Sequence, residues 1–289
     1  MNNLGEVFKR VRKSRNLTQE SVARGVISKS TLSGFENNKH DITLSNFYKI
    51  VRNTNISFQE FEYMVNDYEL EGFKRTWIKA VDLYNNNEVS ALKSLLKRER
   101  ANQEDRSTNI YDELNYLRLK NLVSVVDEDF VLSQNERKRI LSYLMSIKDW
   151  GNYELVLYGN AVRVFDTTTI KTLSTEVVTR SSFYRSISDN KRLVAKILIN
   201  TINKLLECNE LESAIRFQKH AQDLLDEADV FEKTIFLFIS GAIDFCGGNK
   251  TIGKEKMIDA IAVFEKIGNH RLADSYQADY DKIVGSSEK

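Results

Sequence analysis

Residues 17–44 read LTQESVARGVISKSTLSGFENNKHDITL, and this stretch decides the fold of the first part of the chain. Thr18 is expected to cap one short helix, and Ser28 to cap a second helix after a tight turn. The second helix carries Leu32 and Phe35 on one side and small polar residues on the other. Two short helices joined in this way are typical of a helix-turn-helix, whose second helix enters the major groove of DNA.

The flanking sequence extends this pair into five short helices over residues 1–66. An apolar stripe at helical spacing precedes the pair (Leu4, Val7, Phe8 and Val11). Thr43 is expected to cap the fourth helix, and Ser57 with Glu60 forms a capping box for the fifth. The alternative interpretation is a five-helix protein-interaction domain with an ordinary solvated face.

Composition indicates an all-α chain. Its 289 residues suggest about two domains, and 42% hydrophobic with 29% charged residues allow a packed core. The chain has no proline, which suits helices nearly throughout. Its two cysteines fit a reducing cytoplasm, and its charged start predicts neither a signal peptide nor a membrane anchor. We therefore expect a cytoplasmic protein without a membrane partner.

Charge is distributed unevenly along the chain. Residues 1–66 hold 10 Lys/Arg and 6 Asp/Glu, a net charge of +4. The remaining residues hold 32 basic and 35 acidic side chains, a net charge of −3. A basic first domain on a mildly acidic body favours a polyanionic partner for the first domain alone.

The body, residues 67–289, reads as eleven longer helices joined by short polar loops, which favour antiparallel neighbours. The ranges are 68–85, 87–101, 108–127, 134–148, 152–165, 168–183, 189–208, 210–227, 230–247, 251–267 and 269–284. A weak repeat places Ala214-Ile215 and Ala260-Ile261 at matching points of successive helix pairs. Such pairs predict a TPR-like helical-repeat domain, with a compact bundle as the alternative.

The candidate DNA-binding residues follow from the helix-turn-helix. The outer face of its second helix is expected to present Lys29, Ser30, Ser33 and Gly34 to the groove. Gln19, in the first turn of the preceding helix, can hold a phosphate, and the surrounding basic residues neutralise others. The full predicted set is Arg10, Arg12, Lys13, Arg15, Thr18, Gln19, Ser28, Lys29, Ser30, Thr31, Ser33 and Lys39.

The same stretch resembles the N-terminal domain of the Rgg/GadR/MutR transcriptional regulators, within the XRE-type helix-turn-helix group. The resemblance rests on Arg12-Lys13, Leu17-Thr18-Gln19, Ala23, Ile27 to Ser30, Leu32-Ser33, Phe35-Glu36 and Asp41 to Leu44. It implies a homodimeric regulator of palindromic promoter DNA, with a TPR-like body that binds a short hydrophobic signalling peptide re-imported into the cell. The chain departs from the family at Gly34, where a basic residue is usual, and at Asn37-Asn38, where Arg-Gly is usual.

A peptide-binding body leads to its own set of candidates. An extended peptide exposes N–H and C=O groups, and an asparagine amide satisfies both, so Asn160 and Asn200 are the expected clamps. Arg192 and Lys196 share a helix with Asn200 and could meet a peptide carboxylate. Tyr184, Phe231 and Phe238 could line an apolar groove. For each residue a structural role stays open: a buried interhelical Asn, a solvated charge, or core packing.

Catalytic and metal chemistry find no support in the sequence. The three histidines and two cysteines lack metal-ligand spacing, and CGGNKTIGK lacks the spacing of a phosphate-binding loop. Cys208 and Cys246 at matching helix ends could form a thiol switch, although two inert thiols are the simpler interpretation. We predict no enzyme activity, no cofactor and no metal.

Residues 1–66 are therefore predicted to bind DNA, and residues 67–289 to bind a peptide and dimerise. RNA polymerase is a candidate further partner. One rival interpretation is a helix-turn-helix regulator whose body is a ligand-independent protein-interaction scaffold. Another is a Rap-like regulator of response proteins, against which the stretch SKSTLSGFE argues.

Overall fold

The computed structural model of the protein describes residues 3–70, 72–104, 109–182 and 188–286, and every regular element within these ranges is a helix. The predicted all-α class is therefore confirmed. The chain forms two compact units, residues 1–95 and 96–289. The functional boundary that the sequence places after residue 66 stays a prediction.

Unit 1 begins with the five short helices that the sequence predicts. Thr18, Ser28, Thr43 and Ser57 are the N-caps of the second to fifth helices, and Ser57 forms a complete capping box with Glu60. Two further helices follow in the chain. The helices are α1 (Leu4–Ser14), α2 (Gln19–Ala23), α3 (Lys29–Glu36), α4 (Leu44–Asn53), α5 (Phe58–Val65), α6 (Gly72–Asn85) and α7 (Val89–Glu104).

The core of the five-helix domain contains a chain of aromatic rings. Phe8 of α1 lies 6.1 Å from Phe35 of α3, measured between ring centroids. Phe35 lies 6.1 Å from Phe47 of α4, and Phe47 lies 5.2 Å from Phe61 of α5. Aromatic pairs at these separations add to the stability that area burial provides. The rings therefore pack α3 against α1 and α4, and α4 in turn against α5.

Unit 2 contains the remaining helices close to their predicted ranges. The largest difference is at the end of α13, which stops at Gln222 instead of residue 227. The helices are α8 (Ile110–Ser124), α9 (Gln134–Ser146), α10 (Asn152–Ala161), α11 (Thr167–Arg180), α12 (Ser188–Glu207), α13 (Leu211–Gln222), α14 (Val230–Cys246), α15 (Lys250–Lys266) and α16 (His270–Ser286). Short 3₁₀ helices lie at Glu128–Phe130 and Val162–Val164.

The even-numbered helices of unit 2 form one layer. Helix α8 packs on α10, α10 on α12, α12 on α14, and α14 on α16. The odd-numbered helices α9, α11, α13 and α15 each pack on a chain neighbour of this layer. Stacked helix pairs of this kind are the architecture of a helical-repeat array, as the weak sequence repeat predicts.

Helix α14 lies between the two apolar cores of unit 2. Its Ile239 and Ile243 belong to the larger core, whereas Phe238 and Phe245 belong to the core shared with α15 and α16. The sequence FEKTIFLFISGAIDF is apolar on more than one side for this reason. Ala214 and Ala260, the alanines at matching points of the predicted repeat, are both fully buried.

A pair of glycines lets α14 and α15 approach closely. A Cβ atom on Gly241 would lie 2.7 Å from the carbonyl oxygen of Gly253. A Cβ atom on Gly253 would lie 2.6 Å from the backbone nitrogen of Phe245. Both distances are too short for a methyl group beside backbone atoms, so a larger residue would push the helices apart.

We predict that Gly253→Ala lowers the free energy of unfolding by about 1–3 kcal/mol, because overpacking at a backbone contact outweighs the better helix propensity of alanine. Thermal or urea denaturation of the full chain measures this change. Gly285→Ala is the matched control, since a Cβ atom there meets nothing within 4 Å. Equal stability of the two variants would contradict the close-packed crossing.

Candidate DNA-binding face and candidate peptide-binding layer

The turn between α2 and α3 is fixed by side-chain caps on both helices. Thr18 Oγ1 accepts a hydrogen bond from the backbone N–H of Ser21 at 3.0 Å. Ser28 Oγ accepts one from the backbone N–H of Thr31, also at 3.0 Å. Between the helices, Gly25 has a φ of 73°, a left-handed conformation that favours glycine. The local sequence therefore sets the relation of α3 to α2.

Helix α3 separates an apolar side from a polar side. Leu32 and Phe35 are buried in the domain core. Lys29 and Ser30 are exposed, and Thr31 and Ser33 are partly exposed. These polar residues lie where the sequence predicts, on the side of α3 that a DNA groove could reach. Their role in binding DNA stays a prediction.

A buried ion pair holds α3 in place. Arg12 of α1 donates from Nε to Glu36 Oε1 at 2.6 Å and from Nη2 to Oε2 at 2.8 Å. Its third donor, Nη1, reaches the carbonyl oxygen of Leu17 at 2.7 Å. Gln19 Nε2 donates to Glu36 Oε2 at 2.7 Å. The network therefore joins α1, α2 and α3, and the hydrogen bond with Glu36 raises the pKa of Arg12.

Two predicted members of the DNA-binding face are wrong. Arg12 was expected to neutralise phosphates, but it is only 8% exposed and its guanidinium is bound to Glu36 and Leu17. Gly34 was expected on the open face of α3, but it is buried beneath the ring of His40. Sequence spacing could not reveal either contact, because both partners lie outside the local helical pattern.

The other predicted basic residues are exposed, and two of them act on residues of α5. Arg10 Nη2 donates to the Met64 carbonyl at 3.3 Å, so its side chain reaches α5. Arg15 acts electrostatically on Glu60, also in α5. Lys13 and Lys39 are exposed to solvent.

Lys9 is a basic residue that the sequence prediction missed. Its Nζ donates to Asn37 Oδ1 at 2.7 Å, directly after the end of α3. The sequence could have indicated Lys9 as well, because it lies one turn before Lys13 in the same helix. Gln19 keeps its predicted capacity toward a phosphate, because its amide nitrogen carries a second N–H besides the one on Glu36.

In unit 2, Arg192, Lys196 and Asn200 form one exposed stripe along α12. The two cations already meet carboxylates of the chain itself. Arg192 Nε lies 2.9 Å from Asp229 Oδ1, and Lys196 Nζ lies 3.0 Å from Glu232 Oε1. The hydrogen bond to Asp229 raises the pKa of Arg192. Asn200, one turn beyond Lys196, is exposed on this stripe.

Asn160 lies on α10, the neighbour of α12 in the layer. Its Nδ2 donates to the Val156 carbonyl of its own helix at 2.7 Å, and its backbone carbonyl accepts from Asn121 Nδ2 at 2.6 Å. The side chain is half-buried, and its amide nitrogen is already hydrogen-bonded to Val156. The structure therefore brings the two predicted clamp residues onto adjacent helices, while their peptide-binding role stays a prediction.

The predicted aromatic lining is corrected at one position. Phe238 of α14 is 2% exposed, and its ring centroid lies 4.7 Å from that of Tyr276 in α16. It therefore belongs to the apolar core between these helices and does not line a groove. Phe231 is 43% exposed. Tyr184 lies outside the residues that the structure describes.

A cluster between α8 and α10 was missed by the sequence prediction. Tyr153 donates its hydroxyl to Asn115 Oδ1 at 3.3 Å, and its ring lies 5.2 Å from that of Tyr111. Arg118 completes the cluster, and burial lowers its pKa to about 10, which leaves it cationic at neutral pH. The signal was available as polar residues at Tyr111, Asn115 and Arg118, spaced four and three apart on one side of a helix.

Among the described residues, the cysteines and the potential metal ligands form no further candidate site. Burial raises the pKa of the Cys246 thiol, which disfavours its reactive thiolate form. Among the described residues, no three His, Cys, Asp or Glu side chains converge as metal ligands would. None of the described helices is both long and apolar enough to cross a membrane.

Capped helices around a buried ion pair, followed by a layered helical body, define a helix-turn-helix protein with a helical-repeat domain. Residues 8–61 match the family model for a helix-turn-helix. Residues 93–278 match the model for the C-terminal domain of the HTH-type transcriptional regulator Rgg. The chain therefore belongs to the Rgg family of DNA-binding transcriptional regulators, which confirms the resemblance found in the sequence.

Two solved structures share the fold over more than nine tenths of their length. The Streptococcus dysgalactiae SHP pheromone receptor Rgg2(C45S) is 26% identical, with a TM-score of 0.83 over 97% of this chain and 99% of that chain. The PrgX/iCF10 complex has a TM-score of 0.73 at 14% identity, over 100% of this chain and 91% of that chain. At 14% identity, the similarity to the PrgX/iCF10 complex shows a shared fold alone.

We predict that Arg12→Ala destabilises the protein by about 3–5 kcal/mol, because it leaves the buried Glu36 carboxylate without a counterion. Calorimetric unfolding of the full chain measures the loss. The double variant Arg12→Met/Glu36→Leu is expected to recover most of it, since replacing a whole buried pair by apolar residues is often neutral. If the double variant were less stable than Arg12→Ala, the charge-based explanation would be wrong.

Proposed function

We propose that this Rgg-family protein is a cytoplasmic homodimer that binds promoter DNA through residues 1–66 and is controlled by a short hydrophobic peptide bound to residues 67–289. The observation that carries the peptide half is the placement of Asn160 and Asn200 on adjacent helices of one layer. The DNA half rests on the polar side of α3, held by the buried ion pair beneath it.

Lys29, Ser30 and Ser33 supply the groove-facing side of α3. Hydroxyl groups donate and accept, so they can bond base edges or phosphates, while Lys29 neutralises a phosphate. Lys9, Lys13 and Lys39 add positive charge around this face. Two such faces on a dimer would contact half-sites about 34 Å apart, or a multiple of this distance, on palindromic DNA.

We predict that Lys29→Ala weakens binding to all DNA sequences alike and lowers the slope of log affinity against log salt by about 0.9, because one phosphate contact is lost. Fluorescence anisotropy on the promoter DNA beside the gene, at several salt concentrations, measures both values. Lys266→Ala on α15 is the matched control, because this exposed lysine belongs to unit 2. The same slope for the Lys29 variant and the wild type would remove this residue from the interface.

The even-numbered layer of unit 2 suits an extended peptide. Asn200 is exposed, and its amide can both donate to and accept from a peptide backbone. The nitrogen of Asn160 is bound to Val156, so its side-chain oxygen is the group left to accept a peptide N–H. Asn115 has the opposite arrangement, since its oxygen accepts from Tyr153 and its nitrogen remains a donor. The layer thus offers acceptors and donors to a single extended chain.

Peptide binding would act on DNA binding by selecting one arrangement of the dimer. A ligand shifts such an equilibrium only by its difference in affinity for the two arrangements. The similarity to the SHP pheromone receptor Rgg2 supports a peptide as the ligand. RNA polymerase, the candidate further partner, would be contacted once the dimer is on the promoter.

We predict that Asn200→Ala weakens peptide binding about 10- to 30-fold, because two hydrogen bonds of about 1 kcal/mol each are lost. The probes are short hydrophobic peptides encoded beside the gene, synthesised and titrated one at a time against the promoter complex in the anisotropy assay. DNA binding without peptide should be unchanged in this variant.

Asn135→Ala is the matched control, an exposed asparagine on the odd-numbered helix α9. A wild-type protein that binds the promoter but responds to no peptide would favour the alternative function, a regulator with a ligand-independent interaction scaffold. A protein that binds no promoter sequence specifically would refute the DNA half as well.

A further inference from the structure

Gly34 marks a place on α3 where the helix has no side chain of its own. It follows Ser30 by one turn and precedes Asn37 by about one turn, so it lies next to the exposed polar residues of α3. Glycine is among the least favourable residues inside a helix. Even so, Gly34 is buried, because another part of the chain covers it.

The covering group is the imidazole ring of His40. A Cβ atom on Gly34 would lie 2.1 Å from His40 Nε2 and 2.8 Å from both Cδ2 and Cε1. The ring therefore occupies the space into which a side chain at position 34 would extend. No residue larger than glycine fits at position 34 while the ring stays in place.

The backbone after α3 brings the ring to this position. Asn38 adopts a left-handed φ of 58° and donates its N–H to the Phe35 carbonyl at 3.0 Å. Lys39 then donates its N–H to the carbonyl of Gly34 itself at 2.9 Å. The chain reverses over the end of α3, and the next side chain, His40, lies across Gly34.

The ring is exposed and only weakly held. His40 as a whole is exposed to solvent, and its Nδ1 lies 3.3 Å from the Asp41 carbonyl. Within the described part of the chain, Nε2 has no hydrogen-bonding partner. Imidazole carries one donor and one acceptor in its neutral form, so the ring can turn toward a base edge without breaking a strong bond.

We propose that His40 is a specificity-determining residue of the DNA interface, taking the place of the side chain that Gly34 lacks. This inference rests on the proposed use of the α3 face for DNA. Ser30 and Ser33 contact DNA on one side of Gly34. The His40 ring contacts the base pair that faces Gly34. The ligand is the edge of that base pair, recognised through an imidazole nitrogen or through the ring face against a thymine methyl group.

The test is selection of binding sites from a random DNA library by the full-length protein and by single variants. His40→Ala should lose about 10-fold discrimination at one or two base pairs of each half-site, while the other positions keep their preference. Gly34→Ala should reproduce this loss, because its methyl group displaces the ring. The double variant Gly34→Ala/His40→Ala should be no worse than either single variant.

Lys39→Ala provides the matched control from the same loop. It should weaken binding to all sequences alike, as a phosphate contact does. Thermal unfolding of each variant checks that the domain is folded. A folded His40→Ala protein with the wild-type preference at every base pair would overturn the proposal. Failure of the wild-type protein to select any sequence would instead refute the proposed DNA-binding function.

Discussion

The buried ion pair between Arg12 and Glu36 is the constraint on which the DNA-binding domain depends. Glu36 is fully buried, and a carboxylate in such a position is stable only when it is paired and hydrogen-bonded. Arg12 provides two parallel hydrogen bonds, and Gln19 provides a third. Because these residues come from α1, α2 and α3, the pair has its favourable geometry only when all three helices are in register. The orientation of the α3 face follows from this requirement.

In unit 2 the comparable constraint is packing. Small residues at helix crossings, above all Gly241 and Gly253, let backbones approach until the larger side chains around them interlock. A buried hydroxyl network adds direction, since Tyr158, Ser174 and Thr201 bond one another across α10, α11 and α12. Packing and these hydrogen bonds therefore fix the buried sides of α12, and the helix holds its exposed residues in place.

Much of the fold could be predicted from local signals. Helix caps act within three residues, and apolar stripes at helical spacing show which side faces the core, so helix positions were readable from the sequence. Contacts between distant residues were not. Helical spacing places Arg12 nearer the apolar stripe than Lys13, but it does not identify the buried partner, because Glu36 lies 24 residues away. Phe238 was uncertain because α14 is apolar around most of its surface, so periodicity could not separate core from groove. The sequence predicts that Gly34 is open to solvent, because helical spacing does not show that the following loop covers it.

The two ion pairs between α12 and α14 have a consequence for the chemistry of any ligand on that surface. The carboxylates of Asp229 and Glu232 are buried, while their partners Arg192 and Lys196 reach solvent. An acidic group that drew Lys196 outward would strand the Glu232 carboxylate in a medium of low polarity, which is costly. An uncharged backbone bonded to Asn200 leaves both pairs intact. An acidic ligand would therefore have to compete with Asp229 and Glu232 for the two cations, whereas an uncharged ligand would not.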